Sequence, residues 1–194
     1  MLSPRLLLVD DDRLVLATTA AELGRLGYEV AAADGAEQAL QLAAAEPFDL
    51  AILDIRMPGL SGIELAHLLE RRHRLRSLFL SAHGEREEVS QAIEEGALGY
   101  LRKPVDPPHM VPAIEAALAR LRDLDALAAA KLQLERALNE RRQTSVAVGI
   151  VMAQRRLSET AAFEALRGEA RRQRRKLSEF CSELVAALHR QERG

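Results

Sequence analysis

Tryptophan is absent from this chain, and aromatic residues make up only 3% of it. Any core must therefore be assembled from Leu, Ala, Val and Ile, which a hydrophobic share of 48% amply supplies. The single cysteine, Cys181, excludes an internal disulfide framework and fits a reducing compartment. No run of about 18 uncharged apolar residues occurs, so no helix is expected to span a membrane. The opening stretch MLSPRLLLVDDD turns acidic too early for a secretory signal. These absences point to a cytoplasmic protein with no membrane partner. His67, His73, His83, His109 and His189 are scattered without metal-ligand spacing. Apart from one acidic cluster, no nucleophile–base pair is legible, so an enzyme is not expected.

What is present is unevenly charged. Residues 1–140 hold 15 Lys and Arg against 23 Asp and Glu, and residues 141–194 hold 12 against 6. An acidic front (−8) and a basic back (+6) suggest two units with different partners. Within the first 106 residues, short apolar runs at 5–9, 28–33, 49–53, 77–81 and 98–102 alternate with helical patterns. Those patterns cover about 13–26, 35–45, 61–73, 84–95 and 107 onward. Such alternation predicts an α/β fold, a flavodoxin-like doubly wound five-stranded parallel sheet covered on both faces. In such sheets ligands bind beyond the carboxyl ends of the strands.

That rule gathers the chemistry. Asp10, Asp11 and Asp12 follow the first strand, Asp54 ends the third, Ser81 ends the fourth, and Lys103 follows the fifth. Clustered carboxylates repel unless a cation sits among them, and hard oxygen donors with room for water suit Mg²⁺. With Lys103 and Ser81, such an ion would surround an incoming phosphoryl group, leaving Asp54 as the nucleophile. A lone acid after a strand is ordinarily a helix cap, and Asp12 fits that role. Gly59 and Gly62 are read as turn residues with positive φ, and Ser61 as the cap of the next helix.

The stretches LLLVDDD, LAILDIRMPGLSGIEL, LFLSAHG and GALGYLRKP resemble the receiver domain of a two-component response regulator. The resemblance implies Asp54 as phospho-acceptor, with a sensor histidine kinase as donor. It implies Asp11 and Asp54 as direct Mg²⁺ ligands, Asp10 through water, and the backbone carbonyl of Arg56 as a third protein ligand. Ser81 becomes the switch hydroxyl, Tyr100 the aromatic that turns inward with it, and Lys103 the partner of the phosphoryl group. A cis Lys103–Pro104 bond is also implied. His83, beside this edge, could modulate dephosphorylation.

From Pro107 to about Glu140 the chain is rich in Ala, Leu, Arg and Glu, which predicts one long helix. Ile114, Ala117, Leu121, Leu124 and Ala128 keep a heptad-like spacing, interrupted at Lys131, so a coiled coil and self-pairing are open possibilities. The other possibility is that this stripe packs on the chain's own C-terminal unit. Beyond it, three helices are expected in 139–190, a small all-α domain. Residues 146–153 look buried on all sides, with Gly149 allowing close helix approach. Ser158 is placed as a cap, and Cys181 as a buried apolar residue. Phe163 and Phe180 both fall on apolar stripes, leaving no aromatic free. The run RRQRRK at 171–176, unbroken by acids, favours a nucleic-acid backbone. Composition does not choose between DNA and RNA.

ERRQTSVAVGIVM, RRLSETAAFEALRGEA and RRKLSEFCSEL resemble an ANTAR domain, the RNA-binding output of transcription antiterminators. Val148 stands where the family commonly has Lys. The expected boundaries are 1–120 for the receiver, 107–140 for the linker helix and 136–190 for the ANTAR-like unit. The implied function is a phosphorylation-controlled antiterminator that binds RNA stem-loops in leader transcripts and forms a homodimer on phosphorylation. Its expected RNA contacts are Arg141, Arg142, Arg155, Arg156, Arg171, Arg172, Arg174, Arg175 and Lys176. The alternative is a receiver-controlled dimerisation or relay protein without nucleic-acid binding.

Overall fold

The computed structural model describes residues 3–81 and 97–191, the last four by backbone alone. The expected helix over 84–95 and His83 lie outside the described residues. The chain divides into two compact units, Met1–Leu124 and Asp125–Gly194.

In the first unit the apolar runs become β1 (Arg5–Val9), β2 (Glu29–Ala33), β3 (Leu50–Asp54), β4 (Ser77–Ser81) and β5 (Gly99–Arg102). All four pairings are parallel, in the order β2-β1-β3-β4-β5. The helices are α1 (Arg13–Arg25), α2 (Ala36–Ala45), α3 (Gly62–His73) and the start of α4 (Pro107–Arg155). Successive strand residues face opposite sides, which explains runs with no polar alternation. Leu7, Val9, Ala51, Leu53 and Phe79 pack with Ala39, Ala43, Leu65 and Leu69 of α2 and α3. Leu6, Leu8, Leu50, Ile52, Leu78 and Leu80 pack with Leu16 and Leu23 of α1 and Met110, Ile114 and Ala117 of α4. Each fully buried Leu contributes about 1.5–3 kcal/mol.

Local chemistry sets the strand-to-helix turns. Asp12 caps α1, its Oδ1 accepting from the backbone N–H of Leu14 at 2.9 Å and Val15 at 3.2 Å. Ser61 and Glu64 form a capping box on α3. Gly59 has φ +82°, as the turn requires. Gly62 departs from expectation, because it lies in the helix and serves a close approach. A Cβ there would sit 2.0 Å from the carbonyl oxygen of Asp54. The Tyr28 hydroxyl donates to Glu115 at 2.8 Å, joining the approach to β2 with α4. Burial, helped by that carboxylate, pushes the Tyr28 phenol up to about 12.

The second unit contains the rest of α4, then α5 (Glu159–Arg172) and α6 (Leu177–Gln191). The linker helix and the first C-terminal helix are one continuous helix of 49 residues. No Gly or Pro occurs between Pro112 and Gly149 to end it. It stops at Arg156, which has φ +51°, and Ser158 caps α5 through the N–H of Ala161. Ala147, Val148, Val151, Ala162, Leu166, Cys181 and Val185 form the core of this unit.

Three expectations fail here for one reason: two neighbouring helices cover only part of a third. Residues 146–153 are not buried all round, since Val146 and Gly149 are exposed. Gly149 supports no close helix contact among the described residues, since no atom of a neighbouring helix lies within 4 Å of its missing Cβ. Phe163 is exposed, one residue and so about 100° round from the Ala162–Leu166–Ala170 stripe that is buried. The heptad-like stripe on α4 also divides. Ile114 and Ala117 belong to the sheet core and Leu121 packs against it, whereas Leu124 and Ala128 are exposed, as are Leu127, Leu134 and Leu138 beside the stripe. Among the described residues no helix is long and apolar enough to cross a membrane.

Candidate functional site

The parallel sheet brings its strand ends to one edge, and the acids meet there. Asp10, Asp11 and Asp54 each offer a carboxylate oxygen within 4.8 Å of the others. Asp10 is 1% exposed and Asp54 9%, whereas Asp11 is open to solvent. Asp10 Oδ1 accepts from the backbone N–H of Asp12 at 3.0 Å, which shapes the turn after β1. The Arg56 N–H lies 3.4 Å from Asp54 Oδ1, placing Arg56 in the loop directly beyond the acid.

Lys103 reaches this cluster from the far side of the sheet. Its Nζ lies 2.6 Å from Asp10 Oδ2 and 2.7 Å from Asp54 Oδ2, bridging the two buried acids. The backbone N–H of Lys103 donates to the carbonyl of Ser81 at 2.8 Å, and the following peptide bond to Pro104 is cis, as expected. Burial pushes the Asp54 carboxyl above the ordinary carboxylate range, with the Lys103 ammonium pulling against it and Asp10 adding to the rise. Desolvation lowers the Lys103 ammonium, but its hydrogen bonds to Asp10 and Asp54 outweigh this and hold it raised and charged. Three carboxylates against one ammonium leave excess negative charge, and the donors are all hard oxygens. That donor set fits a small divalent cation.

Ser81 is buried at the end of β4, beside Arg102 of β5 in register. Tyr100, on β5, is half exposed.

The basic residues are less uniform than the sequence suggested. Arg141, Arg142, Arg155, Arg156, Arg171, Arg174 and Lys176 are exposed. Arg172 is paired with Glu169, and Arg175 with Glu183. Acids three residues before and eight residues after these cations neutralise them, so the uninterrupted run 171–176 overstates the free charge. Reading the sequence also missed a groove between α4 and α5, lined by Val148, Gly149, Met152, Thr160 and Phe163. The unspent Gly149 was its only signal. The second carboxylate on Lys103, that of Asp10, was likewise not anticipated.

The sheet, the acidic edge and the helical unit after it define a response regulator. A response regulator receiver domain matches residues 6–115, and an ANTAR domain matches residues 132–185. The chain belongs to the response regulators that carry a receiver followed by an ANTAR domain. It is 32% identical over 162 residues to the transcriptional regulatory protein PdtaR of Mycobacterium tuberculosis, covering 82% of this chain and 78% of that protein. Protein PetR of Rhodobacter capsulatus is 36% identical over 118 residues, 61% of this chain and 50% of its own length. Among solved structures, a receiver domain protein from Clostridium thermocellum matches with a TM-score of 0.58 and 29% identity. That match covers 62% of this chain and 98% of the other. A CheY-like receiver from Methanospirillum hungatei matches with a TM-score of 0.58 and 30% identity over the same shares.

Proposed function

We propose that this protein is a phosphorylation-controlled antiterminator that takes a phosphoryl group on Asp54 and binds RNA stem-loops in leader transcripts. The observation that carries the reading is the Lys103 bridge between Asp10 and Asp54 in a chain whose other unit is basic and open. An Asp54 oxygen attacks the phosphorus of a phosphohistidine on a sensor kinase. A P–O bond forms as the P–N bond breaks, and the imidazole leaves with the electron pair and takes up a proton. Lys103 then turns from two carboxylates to the phosphoryl oxygens. Asp11, Asp54, the Arg56 carbonyl and, through water, Asp10 would hold Mg²⁺, which supplies charge neutralisation. Ser81 follows the phosphoryl group, and Tyr100 moves inward behind it. The rearrangement favours a homodimer.

Supporting the output half are the ANTAR match and the exposed cations of the helical unit. The name of the M. tuberculosis relative, a transcriptional regulatory protein, points the same way. Acetyl phosphate labels the wild type and leaves Asp54→Asn unlabelled; labelling retained at another residue overturns the nucleophile. Titration with stem-loop RNA and with duplex DNA over a salt series tests the output. RNA preference is expected, and equal affinity overturns RNA recognition. A second reading, a dimerising relay without nucleic-acid binding, is favoured by the exposed Leu127, Leu134 and Leu138. Gel filtration with beryllofluoride, with and without RNA, separates the two.

A further inference from the structure

The α4–α5 groove sets two residues that the packing of the helical unit does not explain, Gly149 and Phe163, beside its core residues Val148 and Met152. Its volume is about 600 Å³. Val148 and Met152 form an apolar floor, and Phe163 stands on the wall at 37% exposure, its ring partly open to solvent. Gly149 opens the helix surface directly at the groove, with nothing within 4 Å of where a Cβ would be. A glycine inside a helix costs about 1 kcal/mol relative to Ala, and here no packing neighbour recovers that cost. A glycine left open in this way lets a ligand approach the backbone closely.

Polar groups on the rim are unspent as well. Ser145 and Thr160 line the groove, and neither hydroxyl makes a hydrogen bond among the described residues. Arg155 ends α4 and Arg156 follows it in the turn to α5; both are exposed, and the Arg155 charge acts at longer range on the Glu169 carboxylate. Glu159 is the acid on the rim. It repels a phosphate but accepts a hydrogen bond from a base N–H, so the groove suits a base better than a phosphate. An apolar slot with one flat ring, hydroxyls at its edge and arginines beside it matches how unpaired RNA bases are held.

We propose that this groove receives one unpaired loop base of the bound RNA, stacked on Phe163 over the open backbone of Gly149. Ser145 and Thr160 hydrogen-bond the edge of the base, and Arg155 and Arg156 take the flanking phosphates. Val148, buried in the floor, keeps the slot uncharged, so stacking supplies the affinity there. The inference rests on the RNA-binding reading above and adds a site to it.

The test uses the full chain and a pool of stem-loop RNAs with randomised loops, against the same stem closed as a plain duplex. Fluorescence anisotropy over a salt series gives both affinities. Phe163→Leu keeps apolar volume and removes the ring. It is expected to weaken stem-loop binding about five- to hundredfold, leaving duplex binding and the salt slope unchanged. Phe163→Tyr restores affinity. Gly149→Gln, which fills the slot and is a better helix former, is expected to lose the loop preference too. Loops carrying 4-thiouridine are expected to photocrosslink to the peptide that contains Phe163. Stem-loop affinity unchanged in both Phe163→Leu and Gly149→Gln overturns the groove and leaves RNA binding standing. If the wild type binds neither RNA, the antiterminator reading and the groove fall together. If Phe163→Leu alters only the sedimentation behaviour, the groove is an interface between copies and the proposal is overturned.

Discussion

The two units keep their charge in opposite places. In the sheet unit the groups that matter are sunk at the strand ends, where Asp10 and Asp54 share one ammonium. In the helical unit the cations stand in solvent, and where they pair, as Arg175 does with Glu183, the acid is exposed. Attraction grows as water is excluded, and so does the cost of losing a partner. A buried site is therefore a cooperative object that one atom can disrupt. An exposed basic surface is a sum of replaceable parts. The sheet unit suits an all-or-none chemical event, and the helical unit suits graded contact with a polyanion.

Substitutions can sharpen or break that contrast. The largest effect is expected from Gly62→Ala, which drives a methyl group into the Asp54 carbonyl. It should cost about 3 kcal/mol or more and lower acetyl-phosphate labelling, read by denaturant melts and phosphoprotein assay. An unchanged melt would mean that α3 can slide away from β3 at no cost.

Lys103→Met comes next. It leaves Asp10 and Asp54 without their shared cation, a loss on the order of 2–3 kcal/mol, because the lysine itself is only partly buried. Added Mg²⁺ is expected to recover part of it in a thermal melt. A variant indifferent to Mg²⁺ would break the link between this charge cluster and a metal.

Ser77→Ala should move the other way. Ser77 Oγ is buried with no hydrogen-bond partner among the described residues, so its removal is expected to stabilise the sheet unit by about 1 kcal/mol, seen as a higher melting midpoint. Smallest of all is Arg175→Ala. Its ion pair sits in solvent, and the melting midpoint should not resolvably change. A shift as large as that of Lys103→Met would erase the distinction between the units.

The sheet edge was legible because it needs only short-range information. Apolar runs of five residues bounded by Asp, Gly or Pro name the strands, and parallel crossovers put every strand's carboxyl end on one side. Asp10, Asp54, Ser81 and Lys103 follow from that count alone. The capping roles of Asp12, Ser61 and Ser158 were legible for the same reason, being contacts across three residues. The helical unit was harder to read. Its periodicity marks which stripe is apolar, but coverage depends on how many helices pack round it. Phe163 and Gly149 fall just outside what two neighbours can cover, and the sequence has no term for that.

By itself, then, the amino-acid order determined the strand and helix succession, the edge where the acids converge and the split into acidic and basic regions, because these are set by local pattern and chain direction. Only the folded structure decided that Lys103 bridges two acids, that Gly62 touches Asp54, that Arg172 and Arg175 are already paired, and that Phe163 lines an open groove. Those facts turn on distances between residues far apart in the chain or on the faces left uncovered, and such distances exist only once the core has packed.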